Sequence, residues 1–160
     1  MLITSQTLAD LYACRDQINL FEATFPEGTE ITSASIQIAM DAGLAVAWFM
    51  CKYPILFKDH RHVVLQCPML TFYYAFHVDK APMDDTRAGA CKDPAWAYQY
   101  AFYVDKTPRT DTRKSACARP AYAYYYAHNV DRGPHDDTRA GVCKDPVWAE
   151  VYERDINTLP

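Results

Sequence analysis

The chain repeats itself, and that repetition limits what it can fold into. A motif recurs along the second half: Asp-Pro-x-Trp/Tyr-Ala-x-x-Tyr-Ala, then Val-Asp-Lys/Arg-x-Pro-x-x-Asp-Thr-Arg, then a cysteine. The clearest copies run Cys91–Ala116 and Cys117–Val142, a period of 26 residues. A shortened copy, Cys67–Ala90, precedes them, and a truncated one, 143–160, follows. Repeats of this size stack as identical supersecondary units, each too small to bury its own apolar face. Such stacks bind more often than they catalyse, so the functional question becomes which partner is bound.

One repeat can be read residue by residue. Asp93 followed by Pro94 is a helix start, an N-cap acceptor and then a proline where its missing N–H costs nothing. The helix continues from Ala95 to Val104, with Ala97, Tyr100, Ala101 and Val104 at the spacing of one apolar face. The alanines allow a neighbouring helix to approach closely. Pro108 forces the preceding residue out of the α region and ends the helix near Asp105-Lys106-Thr107. Thr110 or Asp111 then caps a short second helix through Ala116. Each unit is an αα-hairpin. The expected fold is all-α: a short α-solenoid of about 26-residue αα-hairpins behind a helical N-terminal cap.

The divisions follow from the same pattern. Residues 1–43 form the N-terminal cap module, 44–66 a degenerate first repeat, 67–142 three repeats, and 143–160 a capping half-repeat. In that last copy Glu150 and Glu153 replace a tyrosine and an alanine, as suits an end with no neighbour on one side. In the cap module, Thr4 or Ser5 starts a short helix. Cys14–Thr24 forms a second helix, with Ile18, Phe21 and Phe25 on one face. Phe25–Gly28 is a turn, Thr29–Ile31 is extended, and Thr32 or Ser33 starts a third helix that Gly43 stops.

Composition excludes several function classes. The formal net charge of −4 is too mild for a basic nucleic-acid footprint. No apolar run approaches the ~20 residues that span a bilayer, and Asp10, Arg15, Asp16 and Glu22 interrupt the only candidate leader. The expected location is the cytosol. Cys67, Cys91, Cys117 and Cys143 occupy one position in successive layers, which stack about 8–10 Å apart. A disulfide needs its Cα atoms within about 7 Å, so these are expected to be reduced, buried thiols. No Cys-x-x-Cys pair or suitably spaced histidine supports a metal. Five glycines leave little room for a phosphate cradle, and no nucleophile elbow or His-Glu-x-x-His is present. The chain reads as non-enzymatic and cofactor-free.

Three groups of polar or aromatic residues remain as candidates. The row Arg87, Arg113 and Arg139, each two places after Asp85, Asp111 and Asp137, either lines a groove for an anionic partner or bridges to aspartates of the next layer. Asp59-His60-Arg61-His62 reads as a polar loop, and His77, His128 and His135 as variable, partly exposed positions. In Tyr122-Ala123-Tyr124-Tyr125-Tyr126, successive residues point about 100° apart, so all cannot be buried. Tyr126 matches a core position, whereas Tyr125, with Tyr73 as its first-repeat equivalent, faces outward. Exposed tyrosine flanked by Arg or Lys is the composition of a protein-binding hot spot, or a stacking platform for single-stranded nucleic acid.

Ala13-Cys14-Arg15-Asp16-Gln17, Leu20-Phe21, Phe25-Pro26-Glu27-Gly28 and Ala42-Gly43-Leu44 with Trp48 resemble a small module of phage and prophage proteins. The tandem Asp-Asp-Thr-Arg…Cys-x-Asp-Pro repeats resemble those of phage-type proteins. The resemblance implies a mobile-element protein acting inside a bacterial cell. With the acidic balance, it suggests an inhibitor of a bacterial protein complex, such as a CRISPR or other anti-phage defence effector. A nucleic-acid-binding regulator, and a self-associating assembly factor, are the alternatives.

Overall fold

A computed structural model describes residues 1–156. They form two compact units, divided between Val64 and Leu65. Among the described residues, regular structure is almost entirely helical. The chain is an all-α helical-repeat protein.

The first unit holds a minimal two-stranded pairing, of which the extended segment at Thr29 is expected from the sequence and its partner Leu2–Ile3 is not. Strand β1 (Leu2–Ile3) pairs antiparallel with β2 (Thr29–Glu30), in the register Leu2 to Glu30 and Ile3 to Thr29. Gly28 makes the pairing possible. Its φ is +75°, and a Cβ there would stand 2.5 Å from the Ile3 carbonyl oxygen. Between the strands lie α1 (Ser5–Asp10) and α2 (Arg15–Thr24), and after them come α3 (Ser33–Asp41) and α4 (Val46–Lys52). Thr4 and Thr32 open α1 and α3 with reciprocal capping boxes through Thr7 and Ser35. A 3₁₀ segment, Pro54–His60, and the short α5 (Arg61–Val64) complete the unit. Ile3, Leu8, Phe21, Ile36, Phe49 and Phe57 make its core. The degenerate repeat therefore folds up to Val64 with the first forty residues in one unit, rather than as a separate layer.

The second unit carries the repeats. Long helices α6 (Pro68–Tyr74), α8 (Pro94–Tyr100), α10 (Pro120–Tyr126) and α12 (Pro146–Asp155) alternate with short helices α7 (Asp84–Ala90), α9 (Thr110–Ala116) and α11 (Asp136–Val142). Asp93 and Asp145 cap their helices as expected. The Asp93 carboxylate accepts from the Ala95 N–H at 2.9 Å, and Asp145 from that of Val147 at 2.9 Å. Ala97, Tyr100, Ala101 and Val104 are all buried, as their spacing required.

The ends of the long helices differ from expectation. The first three run on through a π-helical turn: Ala75–Asp79, Ala101–Asp105 and Ala127–Asp131. A left-handed residue then stops each one: Lys80, Lys106 and Arg132, with φ of +56°, +56° and +57°. The Lys106 N–H reaches back to the Ala101 carbonyl at 2.9 Å. Proline two residues later reinforces a stop already made. Holding a residue with a side chain in this region costs about 1 kcal/mol, and a cation at a helix C-terminus recovers roughly 0.3–1 kcal/mol.

Neighbouring repeats are tied by two buried devices. The first is a tyrosine hydroxyl from the following long helix. Tyr126 accepts from the Arg109 N–H at 3.0 Å, and its oxygen lies 2.9 Å from the Thr112 hydroxyl. Tyr100 does the same for Met83 and Thr86, and Tyr152 for His135 and Thr138. The N-terminal residues of α7, α9 and α11 are thus held by tertiary contacts. Asp85 and Asp111 accept from the next N–H, at 2.8 Å each.

The second device is an ion pair. The Arg87 guanidinium grips Asp105 through Nε at 3.0 Å and Nη2 at 2.9 Å. Arg113 grips Asp131 through Nε at 3.0 Å and Nη2 at 2.6 Å. Both carboxylates are buried, with side-chain exposures of 0% and 7%. Each arginine also lies over the tyrosine of the same junction, 5.9 Å from Tyr100 and 5.6 Å from Tyr126.

Candidate functional site

With one face of each long helix committed to alanine and tyrosine packing, the remaining faces are free to carry other side chains. This chain fills them with aromatic rings. Trp96 and Tyr98 flank the buried stripe of α8, and the π-helical turn after it places Phe102 and Tyr103 outward in succession. Both are exposed, and their centroids lie 4.7 Å apart at 82°. Phe76, Tyr125 and Val147 are exposed on the other long helices or their π turns.

These rings form one connected surface. Tyr73 contacts Trp96 at 5.9 Å, and Trp96 contacts Phe72 at 5.6 Å. Phe72 and Phe76 each reach Tyr103 at 6.2 Å. Tyr103 leads through Phe102 to Tyr98, at 6.0 Å, and Tyr98 to Tyr125 at 5.9 Å. Tyr125 meets Trp148 at 5.8 Å. The arrangements are mostly tilted or edge-on, the geometries ring quadrupoles favour at about 0.5–1.5 kcal/mol each. The face therefore crosses all four long helices of the second unit.

Polar contacts fix the rings in place. The Asn129 amide donates to the Tyr98 hydroxyl at 2.9 Å, and the Tyr124 hydroxyl donates to Asp155 at 3.0 Å. Burial pushes both phenols up, so they stay protonated and able to hydrogen-bond. His77 stacks parallel on Tyr73, 6.0 Å away and 8° from coplanar. Burial, with the Lys80 charge as a lesser cause, lowers its pKa, so it is a neutral ring at pH 7. Side chains held this way lose little freedom when a partner docks.

The expected site residues divide into two sets. Tyr73, half-buried, and Tyr125, 39% exposed, are joined by the aromatic surface although they lie two repeats apart. The arginines do not line a groove. Arg87 and Arg113 are turned inward onto Asp105 and Asp131, whose carboxylates raise their already high pKa values. Only Arg139 of that row is half-exposed, 4.0 Å from Glu153. Of the two readings of the row, the geometry adopts the ladder between layers at two of its three positions.

Sequence reasoning missed two elements of the site. Phe102, Tyr103 and Trp148 were not among the candidates; the first two are set outward by a π-helical turn that is invisible to a 3.6-residue period. Lys80, Lys106 and Arg132 form a second cation row at the left-handed stops, exposed in every case. Their signal was present as the recurrent Val-Asp-Lys/Arg.

Among the described residues, no group of His, Cys, Asp or Glu is arranged to hold a metal. His60 is instead hydrogen-bonded to Ser33, Nδ1 to Oγ at 3.1 Å. All six cysteines are free, but they are not uniformly buried: Cys117 is buried, Cys67 and Cys91 are partly so, and Cys14 and Cys143 are exposed. Desolvation, then nearby aspartates, pushes the Cys91 thiol up to about 12 and the Cys117 thiol up to about 11. At pH 8, a disulfide reagent is expected to modify Cys14 and Cys143 at least about tenfold faster than Cys91 and Cys117, because the thiolate is the nucleophile. Peptide mapping after brief labelling checks this, and comparable rates at all four sites would overturn it. The same shifts favour the fold below the ordinary thiol value of 9.0, an advantage lost as pH rises toward 11–12.

No family model, curated protein or solved structure matches this chain.

Proposed function

We propose that this chain is a non-enzymatic protein-binding module that recognises its partner through the aromatic face of the second unit. One observation carries the reading: the exposed rings Phe76, Phe102, Tyr103 and Tyr125, joined through the half-buried Tyr98 and Trp148, form a connected aromatic surface across four helices. Contiguous exposed apolar surface marks interaction sites, and tyrosine and tryptophan dominate binding hot spots. The partner class is a bacterial protein complex, with anti-phage defence effectors favoured by the likeness to phage-type repeats. Inhibition by occupancy of such a complex is the mode proposed. Nucleic-acid binding through Arg87, Arg113 and Arg139 has less support, since two of the three guanidiniums hold buried carboxylates.

The test is affinity purification of the full chain from bacterial lysate, with and without nuclease, beside a Tyr103→Ala/Tyr125→Ala variant. The expected result is a stoichiometric protein partner that survives nuclease and is lost with the variant. The variant should fold, because both rings are substantially exposed. For a partner from a defence complex, expression of the chain should restore phage plating on a strain carrying that system. A partner removed by nuclease, or retained equally by the variant, would overturn the reading.

A further inference from the structure

The aromatic face has a charged edge. Each left-handed turn that ends a long helix of the repeats carries a cation: Lys80, Lys106 and Arg132. Unlike Arg87 and Arg113, none of the three makes a side-chain hydrogen bond or ion pair among the described residues. Glycine or asparagine relaxes such a turn more readily than a long side chain does; the helix dipole favours a cation there, and the charges it places stay exposed at the edge of the aromatic face.

In the chain, each cation comes four residues after an exposed ring of its own π-helical turn: Lys80 after Phe76, Lys106 after Phe102 and Arg132 after His128. Between the second and third turns lies a groove of about 350 Å³, into which Phe102, Lys106, Asn129 and Arg132 project. Asp131 also borders it, but its carboxylate is held by Arg113. Asp79 and Asp105 directly precede Lys80 and Lys106 in the chain, Asp105 being held by Arg87, and other acids sit at the starts of the short helices. Asp84 is taken by Arg87, and Asp111 accepts from the Thr112 N–H. Asp136 lies four residues beyond Arg132.

Resting on the protein-binding reading above, we propose that the partner presents an acidic segment to this face. Its carboxylates enter beside Lys80, Lys106 and Arg132, and apolar side chains between them lie on Phe76, Phe102 and Tyr103. The cations recur once per layer, about 10 Å apart, as separate point charges interrupted by aspartates. A nucleic-acid strand needs a continuous positive track, which a chain of net charge −4 does not offer here. A peptide in the polyproline-II conformation has three residues per turn and rises about 3.1 Å per residue, so carboxylates at every third position share one face at about the cation spacing.

The experiment uses three fluorescent probes on the full chain, read by anisotropy: a repeating Glu-Phe-Ser peptide, its Gln-Phe-Ser counterpart, and oligo(dT) of similar length. The Glu peptide is expected to bind about tenfold more tightly than the Gln peptide at low salt. Raising NaCl from about 0.05 to about 0.5 M should erase that difference. So should Lys106→Glu with Arg132→Glu, or Lys106→Gln with Arg132→Gln if the reversal disturbs folding. Phe102→Ala should weaken both peptides. Equal binding of the Glu and Gln peptides would overturn the acidic-segment inference while leaving the aromatic-face reading intact. Salt-dependent binding of oligo(dT) with neither peptide bound would overturn it in favour of nucleic acid. Binding of no probe would also overturn it, and the lysate experiment alone would then decide the protein-binding reading.

Discussion

Replacing Arg113 with alanine is expected to destabilise the repeat unit by about 3–5 kcal/mol. The side chains of Arg113 and Asp131 are 11% and 7% exposed, so removing the guanidinium leaves a carboxylate in a site with little water. Two charge-assisted hydrogen bonds and the stacking on Tyr126 go with it. For a chain of this size, the loss corresponds to a fall in melting temperature of roughly 10 °C, read by circular dichroism. Arg139→Ala is the internal comparison. Its side chain is 49% exposed and faces Glu153 at 59%, so the expected loss is under about 1 kcal/mol. Equal effects at the two positions would mean that buried pairing does not hold the layers together.

Tyr126→Ala is expected to cost about 3–5 kcal/mol, the range for emptying a buried aromatic site. Tyr126 is fully buried and packs with Ala101, Ala116 and Val130. Tyr126→Phe separates the hydroxyl from the ring. It keeps the packing but strips the Arg109 N–H of its acceptor and leaves the Thr112 hydroxyl without its tyrosine neighbour, at about 1–3 kcal/mol. Hydrogen exchange should place the Phe variant's extra opening at the start of α9, next to Arg109. Protection unchanged there would show that the tyrosine acts through packing alone.

Much of this architecture was legible in the sequence, because it is written three times over. The Asp-Pro helix starts, the buried Ala97, Tyr100, Ala101 and Val104 stripe, and the outward Tyr125 all follow from local chemistry and period. The cross-layer arginine ladder was one of two open readings, and burial of Asp105 and Asp131 separates them. What escaped depends on departures from the regular helix or on distant chain. Residue 103 is placed outward by a π-helical turn that no 3.6-residue template contains. The residue that opens each short helix is held by a tyrosine seventeen residues on, where Thr110 or Asp111 looked sufficient for α9. Strand β1 is two residues long, and its pairing depends on Gly28, far along the chain.

The same placement of partners sets an order in time. Each short helix receives its hydroxyl from a residue 14–17 positions later, and in the first two, Arg87 and Arg113 receive a carboxylate 18 positions later. At a synthesis rate of about 5–20 residues per second, a short helix leaving the ribosome waits on the order of a second or more for the next long helix. During that interval its arginine is hydrated and its opening residue lacks the tyrosine hydroxyl. Closure of one layer then presents the surface on which the following layer assembles. The repeats are thus built to fold in the direction of translation, each layer latched by the arrival of the next.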